Sequence, residues 1–183
     1  MRVIAGKLKG RRLKAVSGYS TRPTADKVKE ALFQIIGPYF NGGKCLDLYA
    51  GSGSLGIEAI SRGMAESIFV DKHPKAVHTI RDNLQSLQIE QHAEVFCTEA
   101  MRGVNGVAKR GLRFDLILLD PPYGKMDYSK LFHQLISLQL LNEGGFVYCE
   151  HDASQSMPEY DCLSKIKQKY YGRTTGITIY QKQ

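Results

Sequence analysis

The first 25 residues of the sequence contain no aspartate and no glutamate, although they hold seven lysines and arginines. Subtracting those seven from 25 basic residues leaves 18, which equals the 18 acidic residues in the rest of the chain. The net charge of +7 therefore belongs to the amino terminus, and a basic segment on a neutral body indicates a nucleic-acid partner. The candidate nucleic-acid contacts are Arg2, Lys7, Lys9, Arg11, Arg12, Lys14 and Arg22.

Other absences narrow the class of protein further. No apolar run is long enough to span a membrane, and the start of the chain has no apolar stretch typical of a secretory signal. No Cys-x-x-Cys pair or histidine pair has the spacing of a metal site. We therefore expect a cytoplasmic protein with no membrane partner and no metal, whose four cysteines are buried free thiols.

The length of 183 residues fits one domain. From residue 44 onward, apolar runs alternate with segments of helical periodicity, which predicts a parallel sheet with helices on both faces. The expected strands are 45–49, 67–71, 93–98, 114–119 and 146–150, and the expected helices are 55–62, 74–87, 101–109 and 128–138. An antiparallel hairpin is expected from 163–171 and 176–181. Residues 2–16 predict a basic β-hairpin, residues 25–36 a helix, and the core is expected downstream of Gly43.

A glycine loop follows the first strand of the alternating region. Gly51, Gly53 and Gly56 form G-x-G-x-x-G between a strand and a helix, the context in which this motif binds a nucleotide cofactor. Asp71 ends the next strand twenty residues after Gly51, where a carboxylate accepts hydrogen bonds from ribose hydroxyls. The motif alone fits either a dinucleotide or S-adenosylmethionine.

Asp47 favours S-adenosylmethionine because a carboxylate before the glycines can hold a cationic amino group and would repel a pyrophosphate. Glu99 ends the third strand and is a candidate for the adenine amino group, with a surface role as the alternative. The predicted cofactor site comprises Asp47, Tyr49, Ala50, Gly51, Ser52, Gly53, Leu55, Gly56, Asp71, Lys72, Glu99, Ala100 and Asp120.

Asp120-Pro121-Pro122-Tyr123 is the candidate catalytic loop. It ends the apolar run 114–119, because neither proline can continue a sheet ladder. Asp120 and a backbone carbonyl can accept hydrogen bonds from an exocyclic amine, and Tyr123 offers a flat face on which a base can stack. The loop therefore predicts transfer to an amino nitrogen.

These motifs together resemble the class I methyltransferases that act on amino nitrogens. The segments Arg2-Val3-Ile4-Ala5-Gly6, Gly10-Arg11-Arg12-Leu13 and 21–33 are similar to the RsmD-type 16S ribosomal RNA guanine-N2 methyltransferases. The resemblance covers nearly the whole chain. It implies a Rossmann-like α/β fold: a mostly parallel seven-stranded sheet, helices on both faces and a C-terminal antiparallel hairpin. It also implies one methyltransferase domain over 1–183, with a basic hairpin and helix in 1–40 as an N-terminal extension.

The activity that the resemblance implies is methylation of the N2 amine of one guanosine in bacterial small-subunit rRNA. S-adenosylmethionine is the implied cofactor. The implied partner is that rRNA within the assembling or assembled 30S subunit, with the protein acting as a monomer. A DNA or other RNA amino-methyltransferase, acting on adenine N6 or cytosine N4, and a non-catalytic ribosome assembly factor remain the alternatives.

Overall fold

The computed structural model describes residues 1–17, 24–122, 124 and 126–183, with the backbone alone at residues 24 and 25. Its centre is a seven-stranded sheet with the order β3-β2-β1-β4-β5-β7-β6. The strands are β1 (Lys44–Leu48), β2 (Glu66–Asp71), β3 (Ala93–Cys97), β4 (Phe114–Leu119), β5 (Leu141–Asp152), β6 (Leu163–Tyr171) and β7 (Thr175–Lys182). Strands β1 to β5 pair in parallel, whereas β7 runs antiparallel to both β5 and β6. The predicted mostly parallel sheet and closing hairpin are confirmed.

Helices cover both faces of this sheet, as predicted. They are α1 (Thr24–Ile36), α2 (Ser54–Ser61), α3 (Pro74–Leu87), α4 (Ala100–Lys109) and α5 (Tyr128–Ser137). Because successive strand residues point to opposite faces, one set of apolar side chains packs under α4 and α5. The opposite set packs under α1, α2 and α3. None of the helices in the described ranges is both long and apolar enough to cross a membrane.

Strand β5 begins at Leu141, well before the predicted start at residue 146. The pair Gly144-Gly145 suggests a turn, but in the structure it lies inside the strand. Phe114 pairs with Leu141, and the register shifts before Leu116 pairs with Phe146. The glycines therefore form a local irregularity of the ladder, which glycine permits, and do not separate two elements.

The basic hairpin of residues 2–16 is present, but it contains a single isolated bridge, Arg2 to Arg12, where two strands were expected. The ladder is short because the next backbone donors point away from it. The N–H groups of Ile4 and Ala5 donate to the carboxylate of Glu58 on α2, at 2.8 and 3.0 Å. The hairpin is thus held by the body of the protein more than by its own pairing.

Ser61, at the end of α2, receives the turn of this hairpin. Its carbonyl oxygen accepts from the Lys7 N–H at 2.8 Å, and its hydroxyl donates to the Ala5 carbonyl at 2.6 Å. Gly6 makes this approach possible: its φ is +84°, and an added Cβ would lie 1.9 Å from the Ser61 oxygen. Any other residue at position 6 would push the turn away from α2.

The expectation that the core lies downstream of Gly43 is wrong. Val3 and Leu13 are 1% and 6% exposed, and they share a cluster with side chains of α2, α3 and β2, namely Ile57, Ile80 and Phe69. The hairpin therefore closes one part of the core. Its alternating basic and apolar residues give it a buried side and a charged side.

Glu58 is the buried acceptor at which these segments meet. Its side chain is fully buried, and besides the two backbone donors it accepts from Arg62 Nε at 2.8 Å. Lys29 Nζ lies 3.5 Å from the same carboxylate. A buried carboxylate is stable only when its oxygens are paired and hydrogen-bonded, and here two cations and two amides do this.

Lys29 extends the same network to the glycine loop. Its ammonium, on α1, donates to the Arg2 carbonyl at 2.8 Å and to the Ser54 hydroxyl at 2.9 Å. Burial lowers the pKa of Lys29, and the charge of Glu58 opposes that shift. One lysine thus connects α1, the hairpin and the first residue of α2.

We expect Glu58→Gln to destabilise the protein by about 3–5 kcal/mol, the usual cost of removing one partner from a buried ionic network. Glutamine has nearly the same volume as glutamate, but its neutral amide leaves two buried cations without their anion. It also turns an N–H₂ group toward backbone N–H donors. Urea unfolding measures the loss.

The matched control is Glu94→Gln. Glu94 forms a bidentate pair with Arg110 at 2.7 and 2.8 Å, but its side chain is 34% exposed. Pairs that are open to solvent contribute less than fully buried ones, so the free energy of unfolding should fall clearly less in this variant than in Glu58→Gln. Equal losses of unfolding free energy in the two variants would show that the buried network of Glu58 stabilises the protein no more than a partly exposed ion pair does.

Candidate active site

A cavity of about 710 Å³ opens at the carboxyl ends of the parallel strands. In the order β3-β2-β1-β4-β5, the strands after β1 are added on one side of it up to β3 and on its other side from β4 onward. Ligands of open α/β sheets bind at the place where the strand order reverses in this way, here between β1 and β4. The cavity walls include backbone of the glycine loop and four carboxylates, Asp71, Glu99, Asp120 and Glu150. Its volume is in the range of small-molecule sites.

The glycine loop exposes backbone to this cavity. Tyr49, Gly51 and Gly53 all have positive φ, at 62°, 57° and 78°. A Cβ added to Gly51 would meet no atom within 4 Å, whereas one added to Gly56 would lie 2.4 Å from the Phe69 ring. Gly51 therefore leaves room for a ligand at the wall, and Gly56 is needed for helix–sheet packing.

Asp71 ties the glycine loop to β2. One carboxylate oxygen accepts from the Gly51 N–H at 2.9 Å, and the other accepts from the His73 N–H at 2.9 Å. The side chain is 8% exposed and lines the cavity. A carboxylate has about four acceptor sites, so Asp71 retains the capacity to bind hydroxyls.

Asp47 lies behind the loop. Its side chain is 1% exposed, does not line the cavity, and accepts from the Gly56 N–H at 2.9 Å. Burial raises the pKa of Asp47 to about 7; the Gly56 hydrogen bond opposes this shift, and the charge of Asp71 adds to it. In this structure the carboxylate shapes the loop from beneath, and its role toward a cationic amino group stays a prediction.

The remaining predicted cofactor residues fall into two groups. Tyr49, Ser52, Lys72, Glu99, Ala100 and Asp120 line the cavity together with Gly51 and Asp71, whereas Ala50, Gly53, Leu55 and Gly56 lie behind its wall with Asp47. Lys72 and Glu99 pair at 3.7 Å with side chains more than half exposed. Burial and the charge of Glu99 raise the pKa of Tyr49 to about 12, so its hydroxyl is a donor.

The predicted catalytic loop lies at the other end of the cavity. Asp120 is exposed and lines the cavity with Pro121 and Pro122. Tyr123 lies outside the described residues, as does Arg22. The structure therefore brings the Asp120 end of β4 and the Gly51–Asp71 end of β1 and β2 to one cavity.

Sequence reasoning missed Glu150. This residue lies within β5, next to Asp120 across the β4–β5 pair, and its side chain lines the same cavity. The available signal was weak: an acidic residue at the predicted end of a strand, as Asp71 and Glu99 also are. No glycine or proline marks the place.

The six described basic residues of the hairpin are all exposed: Arg2, Lys7, Lys9, Arg11, Arg12 and Lys14. Met1, Ala15 and Val16 of the same segment form part of the cavity wall. The predicted basic surface therefore adjoins the cavity.

Asn83 fixes the hairpin to the glycine loop. Its side-chain oxygen accepts from the Lys14 N–H at 2.8 Å, and its amide donates to the carbonyls of Lys14 and Ser52 at 3.1 and 3.0 Å. Asn83 is 1% exposed. A buried amide with this many partners is a rigid connection.

A second basic stretch was hidden by the overall charge balance. Residues 162–183 contain no aspartate or glutamate and carry Lys165, Lys167, Lys169, Arg173 and Lys182. Most of β6 is exposed, and the β6–β7 turn lines the same cavity as the basic hairpin. All four cysteines are free, but Cys97 and Cys162 are exposed, so the expectation of burial holds only for Cys45 and Cys149.

No group of three histidine, cysteine, aspartate or glutamate side chains with metal-binding geometry occurs within the described part of the chain.

A comparison with known families assigns the chain. The family model described as Conserved hypothetical protein 95 matches residues 1–181. The chain belongs to this family. The Bacillus subtilis protein YlbH is 49% identical over 100% of both chains. The ribosomal RNA small subunit methyltransferase D of Haemophilus influenzae is 33% identical over 99% of this chain and 92% of its own length. The predicted resemblance to the RsmD-type family is confirmed.

Solved structures agree with the predicted fold. The structure of yhhF from Escherichia coli matches with a TM-score of 0.86 and 28% identity, over 100% of this chain and 98% of that chain. The Rossmann-like class I methyltransferase fold is confirmed.

The raised pKa of Asp47 predicts a pH effect on stability. Between the ordinary carboxyl pKa of 3.8 and about 7, the folded protein holds a proton that the unfolded chain has lost. Stability contributed by this proton is complete below the lower value and disappears as the pH rises through the upper one. Asp47→Asn removes the equilibrium, while its amide oxygen can still accept from Gly56.

We therefore expect Asp47→Asn to gain stability relative to the parent protein as the pH increases from about 5 to about 8. Urea unfolding of both proteins without cofactor measures the difference, in which other titrating groups cancel. A difference that does not change with pH would contradict the raised pKa.

Proposed function

We propose that the protein is an S-adenosylmethionine-dependent methyltransferase that methylates the N2 amine of a guanosine in small-subunit rRNA. The observation that carries the proposal is the presence of Gly51, Asp71 and Asp120 on the wall of one cavity. The name of the Haemophilus influenzae relative supports rRNA methylation. We further propose that the protein acts as a monomer on the assembling or assembled subunit.

The residues at the β1–β2 end of the cavity fit a nucleoside cofactor. The bare backbone at Gly51 allows close approach, and Asp71 is a nearly buried carboxylate suited to ribose hydroxyls. Lys72, Glu99 and Ala100 would border the base. S-adenosylmethionine supplies a methyl group that is already activated on a sulfonium. The protein therefore has to orient the acceptor and exclude water, and such positioning can contribute roughly 7–11 kcal/mol.

Asp120 and the Pro121 carbonyl would orient the acceptor amine. The lone pair of an exocyclic amine is delocalised into the ring, and acceptors for its N–H bonds favour the pyramidal nitrogen that attack requires. These hydrogen bonds strengthen as positive charge develops on the nitrogen, so they stabilise the transition state more than the ground state. Tyr123 is proposed to stack on the base.

We expect variants at the two ends of the cavity to show opposite defects. Asp120→Ala should abolish methyl transfer but keep its affinity for S-adenosylmethionine, because Asp120 faces the acceptor. Asp71→Asn should weaken cofactor binding by about 1–3 kcal/mol, the loss of charge-assisted hydrogen bonds. Calorimetry gives the affinities, and transfer of labelled methyl to 30S subunits from a strain lacking the gene gives the activity.

The same strain identifies the product. The 16S rRNA of this strain should lack one N2-methylguanosine. The wild-type gene should restore this nucleotide, and the gene with Asp120→Ala should not. Normal subunit assembly with Asp120→Ala and defective assembly without the protein would favour the assembly-factor alternative. An Asp120→Ala enzyme that retains most of its turnover would remove this residue from the mechanism.

The basic surface is proposed to contact rRNA phosphates. Lys9 and Arg12 are exposed, and Arg12 lies opposite Arg2 in the isolated bridge of the hairpin. Replacing both by alanine should weaken binding to unmodified 30S subunits and reduce the salt dependence by about one to two units of slope, since each phosphate contact contributes about 0.7–0.9. Cofactor affinity should not change.

The control for charge is Lys109→Ala with Arg113→Ala. Lys109 is the last residue of α4 and Arg113 directly precedes β4, so both lie near the amino ends of the strands and away from the cavity. The control should leave the slope unchanged. If both double variants alter the slope of the salt dependence equally, the effect comes from the net charge of the protein, and the hairpin does not contact RNA phosphates specifically.

A further inference from the structure

Glu150 and Asp120 occupy neighbouring places at the cavity end of two parallel strands. Leu118 pairs with Tyr148 and Leu119 with Cys149, and Asp120 and Glu150 come next along the two chains. Paired strands lie about 4.8 Å apart, and residues in register point to the same face. Both residues line the cavity. The two carboxylates therefore face the same ligand edge.

Two tyrosines fix the position of Glu150. The Tyr128 hydroxyl donates to the Glu150 carbonyl at 2.6 Å, and the Tyr148 hydroxyl donates to carboxylate Oε2 at 3.2 Å. Tyr148 is 1% exposed and Tyr128 is 3% exposed. Burial, together with the charges of Glu150 and Asp120, raises the pKa of both tyrosines, so both hydroxyls remain donors. The carboxylate is held as an oriented acceptor.

The ring atom beside the amine distinguishes the bases. In guanine the N2 amine is next to N1–H, a donor. In adenine the N6 amine is next to N1, and in cytosine the N4 amine is next to N3, both of which are acceptors. A second carboxylate beside the amine-binding Asp120 therefore matches guanine and repels the other two bases.

We propose that Glu150 is the guanine-specificity residue, accepting the N1–H of the target base while Asp120 accepts from the N2 amine. The inference rests on the proposed function and adds the part of the site that selects the base. It also separates this enzyme from methyltransferases for adenine N6 or cytosine N4. In those, a carboxylate at this place would face a ring nitrogen with no proton.

Three ribonucleosides separate the two contacts. Guanosine has both donors, inosine has only N1–H, and 2-aminopurine riboside has only the amine. Binding of each to the full-length protein, saturated with S-adenosylhomocysteine, is measured by NMR titration. For the wild-type protein we expect guanosine to bind about tenfold more tightly than 2-aminopurine riboside, the equivalent of one hydrogen bond to a charged group.

The expected results differ by variant. Glu150→Gln should lose the preference of guanosine over 2-aminopurine riboside, because its amide N–H₂ can donate to the unprotonated N1. Asp120→Ala should weaken guanosine and 2-aminopurine riboside equally and leave inosine unchanged. The matched control is Glu143→Gln, which changes an exposed carboxylate near the start of the same strand, outside the cavity, and should keep the preference. Affinity for S-adenosylhomocysteine and circular dichroism verify that Glu150→Gln is folded.

The two proposals fail in different ways. A wild-type protein that binds none of the three nucleosides, or binds adenosine as well as guanosine, would contradict the proposed function and the specificity role together. Guanosine binding that needs Asp120, with a preference unchanged in Glu150→Gln, would overturn only the role of Glu150. Loss of the preference in Glu143→Gln as well would also overturn it, because the effect would then not depend on position.

Discussion

The geometry of the candidate site depends on the hydrogen bonds and ion pairs of the buried Glu58 carboxylate. This carboxylate accepts from two backbone amides of the hairpin and from Arg62, and Lys29 lies at 3.5 Å. A fully buried carboxylate with these partners has few alternative arrangements, because loss of any one leaves a charge or a donor unpaired. This constraint places the hairpin, α1 and α2 relative to one another. Since α2 follows the glycine loop directly, it also limits how that loop can move.

The hairpin and the cofactor loop share further contacts. Asn83 bonds both Lys14 and Ser52, and Lys29 bonds both Arg2 and Ser54. The proposed RNA surface and the proposed cofactor wall are thus two sides of one rigid unit, and buried polar networks of this kind hold a unique geometry when every member has a partner. The target nucleotide would therefore meet a basic surface and a cofactor wall that are already joined to each other.

Local patterns were enough to predict most of the fold and part of the site. The glycine loop and Asp120-Pro121-Pro122 can be identified from the sequence alone, because glycine allows backbone conformations that other residues avoid and proline fixes the backbone. Glu58 and Glu150 carry no such mark. Glu58 lies on a helix, where glutamate is usually exposed, and only the fold shows that residues 4 and 5 cover it. Glu150 becomes a neighbour of Asp120 through the register of two strands, which sequence periodicity does not specify. Asp47 differs from both: the motif marks its position, but its carboxylate accepts from the Gly56 N–H and does not line the cavity.

The long separation in sequence of the hairpin's contacts affects the order of folding. Ile4 and Glu58 are 54 residues apart, and Lys14 and Asn83 are 69 residues apart. Contacts this distant form late, because the intervening chain has to be ordered first. During synthesis the basic segment leaves the ribosome first, but its docking surface on α2 and α3 does not yet exist. The ordered basic face therefore arises only with the glycine-loop helix, and a nascent or truncated chain carries the charges without the shape that would position them on RNA.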